Sequence, residues 1–379
     1  MKKIKVFYLF LAFSMATASM RVCASEYPLS LNAPSALLME YSTGEILYEK
    51  NSYEKKPMAS VTKIMTLLLT MEEISAGRLS YDDIVTGSAH AKSYGGSTIF
   101  LDEGEKMTVK DIIKGIAVAS GNDAAAAIAE HIAGSEPAFV NMMNKRAKEL
   151  GMTNTNFVNS NGLDAYGHYS CAYDIALMSR ELMSHNDIFQ FTTIWTDTLR
   201  DGPFELSNTN KLIRFYEGAT GLKTGSTDDA LFCISATAKR DNMHLIAVIM
   251  AAPTSKLRQA DASSLLNYGF SKYSLKNIVS KNQSYDGIKI EKGKTDIVSI
   301  VSQDGCDYLS AKDSDEKIDI EVIKNKKIKA PVKNGDIAGS LIVKINDKEY
   351  KRINLVCNEG CEKVGFSDVF KALFEDWLC

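Results

Sequence analysis

Hydrophobic positions gather in a few stretches of the chain, and their spacing separates helices from strands. From Val61 the apolar residues Ile64, Met65, Leu67, Leu68, Leu69, Met71 and Ile74 follow with no Pro or Gly before Gly77, which predicts a buried helix beginning at Ser60. Upstream, Ala36 to Glu40 and Ile46 to Tyr48 flank Ser42-Thr43-Gly44 and read as two strands and a turn. Residues 80–110 are expected to be irregular, with Gly87, Gly95, Gly96 and Gly104 marking turns. Helices are predicted over 111–119, 123–132 and 137–150, the first stopping at Ser120-Gly121-Asn122. A turn-rich segment, 151–172, leads into a helix near 173–184. From residue 218 the pattern becomes β: Gly221 to Gly225 enters a strand, 231–238 and 244–251 give two more, and a helix over about 256–269 follows. Strands at both ends with helices between them predict one sheet in which the terminal strands pair, helices packed on its faces.

After about Ser274 helical periodicity disappears and charge rises. Short apolar runs at 297–301, 318–323, 339–345 and 353–356, separated by Gly, Asp, Asn and Lys, predict a small all-β domain. The last residues, 366–379, return to helical spacing. Phe366, Val369, Phe370, Leu373, Phe374, Trp377 and Leu378 take one side, and Asp368, Lys371, Glu375 and Asp376 the other. That aromatic face favours lying on a membrane surface, although the polar face lacks a Lys/Arg excess. At the other end, Met1-Lys2-Lys3-Ile4-Lys5, an apolar run to Ala18 and the small residues before Ala24 read as a secretory signal.

Composition narrows the picture without deciding it. A chain of 379 residues suits two domains, and a net charge of −3 gives no electrostatic footprint for nucleic acid. The seven cysteines form no paired C-x-x-C zinc arrangement. Cys357 and Cys361 either pair in an oxidising exterior or stay as buried thiols. The five histidines show no H-E-x-x-H, and neither G-x-S-x-G nor G-x-G-x-x-G occurs. No metal and no organic cofactor are expected.

The candidate chemistry sits where the long helix begins. Ser60 and Lys63 are three residues apart and share a helix face. Burial would strip the lysine of its proton and leave an amine able to take one from a nearby hydroxyl. The competing reading makes Ser60 a helix cap and Lys63 a side chain reaching solvent. Ser120-Gly121-Asn122 breaks two helices, where it either caps the second or projects a hydroxyl and an amide into a cleft. Lys223-Thr224-Gly225, the single K-T-G, opens a strand along which a ligand could lie; otherwise Lys223 is a solvated edge lysine. The order S-x-x-K, S-x-N, K-T-G is the known signature of β-lactamases and penicillin-binding proteins.

Residues 26–379 resemble a D-alanyl-D-alanine carboxypeptidase of the low-molecular-mass penicillin-binding proteins, serine peptidase family S11. The resemblance is carried by Pro57 to Thr66, Ser120 to Ala124, Asn161 to Asp164 with Gly167 to Ser170, and Gly221 to Gly225. Ala330 to Gly335 and the closing helix resemble that family's C-terminal part. It implies a signal peptide at 1–24, a mixed α/β catalytic domain at 25–275 with an antiparallel sheet flanked by helices, a β-sandwich domain at 276–365 and a membrane-associating helix at 366–379. It further implies Ser60 as nucleophile, Lys63 as its base, Ser120 as proton relay and Asn122 as holder of the substrate amide. Lys223 would keep Lys63 neutral, Gly225 would let the substrate lie along the strand, and the N–H groups of Ser60 and Ser226 would form an oxyanion hole. Thr224 and Arg258 would bind a terminal carboxylate. The implied partners are the peptidoglycan stem peptide, β-lactams as inhibitors and the outer face of the cytoplasmic membrane. A class A β-lactamase would need an E-x-x-x-N, absent after Glu181 and Glu205. A D,D-endopeptidase cutting cross-links and a catalytically silent penicillin-binding scaffold stay open beside the carboxypeptidase.

Overall fold

A computed structural model describes residues 29–377; the expected signal segment and the last two residues lie outside them. The strands Ile46–Lys50, Ser35–Glu40, Met243–Ala252, Leu231–Arg240 and Ala219–Thr227 form one five-stranded sheet in that order, each pair antiparallel. The two ends of this part of the chain pair as expected, with Ser35 opposite Met250 and Glu40 opposite Leu245.

Alternation along the central strands assigns the two faces. Leu37, Met39, Ile246, Val248 and Met250 join the large apolar core shared with the helices Lys63–Ser75, Asn122–Ala133 and Ala172–Ser184. Leu38 and Leu245 point the other way, toward Gly269 of the helix Ser255–Lys272, where an added Cβ would lie 2.5 Å from a Leu245 methyl. These strands are buried on both faces, which is why Met243–Ala252 reads as a continuous apolar run.

The segment 80–110 is less irregular than expected: Ile84–Thr86 pairs with Lys106–Thr108, and a short helix covers Ala89–Lys92. A hairpin of Thr196–Leu199 and Phe204–Ser207 is also unforeseen: Thr196-Asp197-Thr198 carries no apolar alternation, and that of Phe204-Glu205-Leu206-Ser207 lasts only four residues.

The C-terminal β-rich part is built on a six-stranded sheet. It includes Ser284–Glu291, Ile297–Ser302, Ile318–Lys324, Ile337–Ile345 and Lys348–Cys357. Tyr273–Val279 and Cys306–Ala311 make a separate antiparallel pair directly after the helix Ser255–Lys272. Cys357 and Cys361 are both free and buried, so of the two readings the thiols hold. The closing helix spans Phe366–Trp377, with Phe366, Val369 and Phe370 exposed.

Candidate active site

Ser60 lies in a one-turn 3-10 helix, Ala59–Thr62, and the α-helix proper begins at Lys63. The expected helix start at Ser60 is therefore corrected. The cause is the crowding around this turn: Ala59 has φ +49°, and the turn is pressed between two glycines. A Cβ on Gly225 would lie 2.7 Å from Ser60 N, and one on Gly162 would lie 2.0 Å from the Ala59 carbonyl oxygen. Gly162 also has φ +88°. Gly162→Ala is expected to destabilise the fold by on the order of 3 kcal/mol from this overlap. Gly134 is the control, having a similar φ of +79° and open space around it. Its alanine variant should lose only the conformational part, about 1 kcal/mol. Thermal unfolding midpoints that match for the two variants would refute the clash.

Lys63 is fully buried. Its Nζ lies 3.0 Å from Ser60 Oγ, 2.6 Å from Asn122 Oδ1 and 2.6 Å from the Asn161 carbonyl oxygen. The reading of a lysine reaching solvent is excluded. Burial, then the positive charge of Lys223, push its pKa well below the ordinary lysine value, with Asp123 opposing in part. A neutral amine carries two N–H bonds and one lone pair. Asn122 Oδ1 and the Asn161 carbonyl can only accept, so they take the two N–H bonds. The lone pair is left for the Ser60 hydroxyl.

Ser120, implied as the proton relay and so expected within reach of Lys63, makes no hydrogen bond to it: among the described residues Lys63 bonds Ser60, Asn122 and Asn161. A π-turn at Gly115–Ala119 delivers Ser120 in a left-handed conformation, φ +65°, and Gly121 N is tied back to the Gly115 carbonyl. Ser120 is buried at 4% exposure beside this break. Asn122 is held on both sides, Oδ1 by Lys63 and Nδ2 by donation to the Gly95 carbonyl at 2.7 Å. Asp123 fastens the neighbouring segment by accepting from the N–H groups of Ile99 and Leu101.

Lys223 sits in the outermost strand and is nonetheless 1% exposed, which rules out a solvated edge lysine. Its pKa falls to about 7, from burial first and then the charge of Arg258. Arg258, at 5% exposure, donates long bonds of 3.4 Å to the carbonyls of Gly225 and Cys233, and its buried Nε has no partner. Its own pKa drops to about 10 through burial. Thr224 Oγ1 donates to Thr209 Oγ1 at 2.7 Å, and Ser226 stands exposed just beyond Gly225. Lys63, Lys223 and Arg258 are thus three buried basic groups, and among the described residues the one carboxylate that acts on any of them is Asp123, on Lys63. Such groups suit an anionic ligand.

Residues 21–254 match the D-alanyl-D-alanine carboxypeptidase family, peptidase S11. The chain belongs to that family. Residues 273–363 match the C-terminal domain of penicillin-binding protein 5. The carboxypeptidase DacF of Bacillus subtilis is 43% identical over 353 residues, covering 92% of this chain and 91% of its own. The structure of penicillin-binding protein 5 from Haemophilus influenzae aligns with a TM-score of 0.73 at 28% identity, over 89% of this chain and 99% of that one. Penicillin-binding protein D2 of Listeria monocytogenes, solved with ampicillin bound, aligns at TM-score 0.59 and 32% identity, over 64% of this chain and 99% of its own. The chain is a serine D-Ala-D-Ala carboxypeptidase of the penicillin-binding class.

Several parts of this carboxypeptidase site are missed by reading the sequence alone. Asn161 and Gly162 belong to a stretch that carries the family resemblance, yet nothing there places either at Lys63. Gly95, Thr209 and Glu136 are given no part in the site. Backbone carbonyls carry no residue signature, so nothing marks those of Asn161 and Gly95. His168 lies in the loop before Tyr169 and is buried there: it bonds Thr62 Oγ1 at 2.7 Å, and burial lowers its pKa to about 4.

Proposed function

We propose that this carboxypeptidase removes the terminal D-Ala from peptidoglycan stem pentapeptides through an acyl-enzyme on Ser60. The observation that carries this reading is the coordination of Lys63: Nζ lies 3.0 Å from Ser60 Oγ, and Asn122 Oδ1 and the Asn161 carbonyl, which can only accept, take two N–H bonds, so that in the neutral amine the lone pair falls to Ser60. Ser60 Oγ attacks the carbonyl carbon of the penultimate D-Ala, and its proton passes to Lys63 Nζ. Collapse of the tetrahedral intermediate breaks the C–N bond. The proton then goes to the departing amine of the terminal D-Ala; relay through Ser120 requires its hydroxyl to turn onto Lys63, whose bonds here go to Ser60, Asn122 and Asn161. Water hydrolyses the ester and regenerates Ser60.

The remaining roles rest on placement. Asn122 holds the substrate amide beside the nucleophile. The N–H groups of Ser60 and Ser226 take the developing oxyanion, at on the order of 3 kcal/mol per donor; their support is that Gly225, next to Ser226, backs onto Ser60 N. Lys223, Thr224 and Arg258 receive the terminal carboxylate, an anion that offsets the buried charge of Arg258 and Lys223. Penicillin enters the same route and stops at the ester, a reading supported by the ampicillin-bound relative.

Incubating the protein with a pentapeptide ending in D-Ala-D-Ala and, separately, with penicillin tests the whole reading. Free D-Ala together with a long-lived covalent adduct is the expected result. Penicillin turnover without D-Ala would indicate a β-lactamase, and neither signal a silent scaffold.

The same reading places the enzyme at the cell envelope, exported by residues 1–24 and tethered to the outer face of the cytoplasmic membrane by residues 366–379. Among the described residues no helix is long and apolar enough to cross a membrane. The exposed Phe366 and Phe370, their rings stacked with centroids 6.4 Å apart, give the last helix an apolar edge suited to an interface. Deleting residues 366–379 is expected to move the enzyme from the membrane fraction to the soluble one. An unchanged distribution on fractionation would remove the tether from the picture.

A further inference from the structure

A buried acid outside the S-x-x-K, S-x-N and K-T-G motifs ties the site together. Glu136 opens the helix Glu136–Glu149 and is 6% exposed. Its Oε1 accepts from Ser160 N at 2.9 Å and from Ser160 Oγ at 2.6 Å. Its Oε2 accepts from Tyr94 OH at 2.6 Å and meets His90 Nε2 at 2.8 Å. A carboxylate has about four acceptor positions, and all are taken. Burial alone would raise its pKa, but the bonds from Ser160, Tyr94 and His90 outweigh it and hold the group below the usual glutamate value.

The two segments joined in this way are the ones that orient the catalytic groups. Ser160 is fixed again by Thr66 Oγ1 donating to its carbonyl at 2.6 Å, and the next residue, Asn161, gives its carbonyl to Lys63. Tyr94 precedes Gly95, whose carbonyl receives Asn122 Nδ2. We propose that Glu136 is a positioning residue for acylation, fastening the Asn161 and Gly95 carbonyls so that the Lys63 lone pair stays aimed at Ser60. This rests on the reading of Ser60 and Lys63 as nucleophile and base. A displacement of about 1 Å in such a group can slow a reaction by about a hundredfold.

The charged groups that bear on the test are few. Lys63 feels Lys223 and, oppositely, Asp123, while Arg258 acts on Lys223. Glu136 faces His90 and Tyr94, and Glu130 acts on Tyr94. If the Asn161 carbonyl drifts away, the ammonium form of Lys63 loses an acceptor while the repulsion from Lys223 remains. The amine then becomes still less basic.

Glu136→Leu is therefore expected to slow the acylation step by penicillin about 10- to 100-fold. The noncovalent binding constant should hold, and the acid limb of the pH–rate profile should move to lower pH. Glu136→Gln should recover most of the rate and the acid limb. Its amide oxygen can face Ser160, and its NH2 can donate to Tyr94 OH or His90 Nε2, both able to accept. A role confined to stability would lower the unfolding midpoint without moving the acid limb. A Leu variant that acylates within about twofold of native, or slows with its acid limb unmoved, overturns the proposal; so does failure of Gln to restore the limb. Should the Leu variant not fold, Ser160→Ala removes one donor only. It must shift the limb the same way with a smaller loss of rate, and an unmoved limb again overturns the proposal. A native enzyme that forms no adduct would overturn the reading of the site itself, a result distinct from a variant that behaves like native.

Discussion

Ser60→Ala is expected to abolish both the covalent penicillin adduct and the release of D-Ala, with kcat falling on the order of 10⁶-fold. The loss should be chemical and not structural. Ser60 Oγ has one contact of consequence, the 3.0 Å approach to Lys63 Nζ. The two N–H bonds of Lys63 stay satisfied by Asn122 and Asn161, so alanine leaves no donor stranded. The backbone of the Ala59–Thr62 turn, wedged against Gly162 and Gly225, has no need of the hydroxyl. The unfolding midpoint of the variant should therefore stay close to native. Intact-protein mass spectrometry after exposure to penicillin decides the matter. An adduct on the alanine variant would place the nucleophile elsewhere, and retained D-Ala release would dismiss the acyl-enzyme route.

How much of this was legible beforehand depends on which part of each residue does the work. The long apolar run after Val61 and the strands at 231–240 and 243–252 announced themselves because side-chain burial has a period. Ser60, Lys63, Ser120, Asn122 and Lys223 were legible as a set by their order, and the structure gathers Ser60, Lys63 and Asn122 around one amine. Neither Lys63 nor Lys223 betrayed its burial in sequence; each looked as much like a surface lysine. The detail that failed was the Lys63–Ser120 contact. Ser120 sits at the end of a π-turn in a left-handed conformation, which no periodicity records. The Asn161 and Gly95 carbonyls were invisible for a similar reason, since every residue has one. Glu136 was hidden by distance, lying 24 residues from Ser160 and 42 from Tyr94 in the chain.

Lys223→Met is expected to make the protein more stable and a far worse enzyme, and the two effects should carry opposite pH signatures. Folded, the Lys223 amine titrates at about 7, because burial and then Arg258 disfavour its charge. Unfolded, it titrates near the ordinary value of roughly 10.4. Between these values the unfolded chain holds a proton that the folded one does not, so this group's contribution to stability rises with pH across that window. At pH 7 the penalty for burying it amounts to up to roughly 5 kcal/mol. Methionine fills similar space without a charge, so its advantage should be full below about pH 7 and fade toward pH 10. Activity should move the other way. Without Lys223 the amine of Lys63 loses the repulsion that helps keep it neutral, and the acid limb of acylation shifts to higher pH. The substrate carboxylate also loses one of its cations, and together these should slow acylation by on the order of 10²- to 10³-fold. Unfolding midpoints and acylation rates measured over the same pH series separate the possibilities. A variant less stable than native at pH 7, or one whose acid limb stays in place, would mean that Lys223 is a structural lysine and not the electrostatic partner of Lys63. Confirmation would show a cost in stability accepted where the chemistry needs an uncharged amine beside a buried cation.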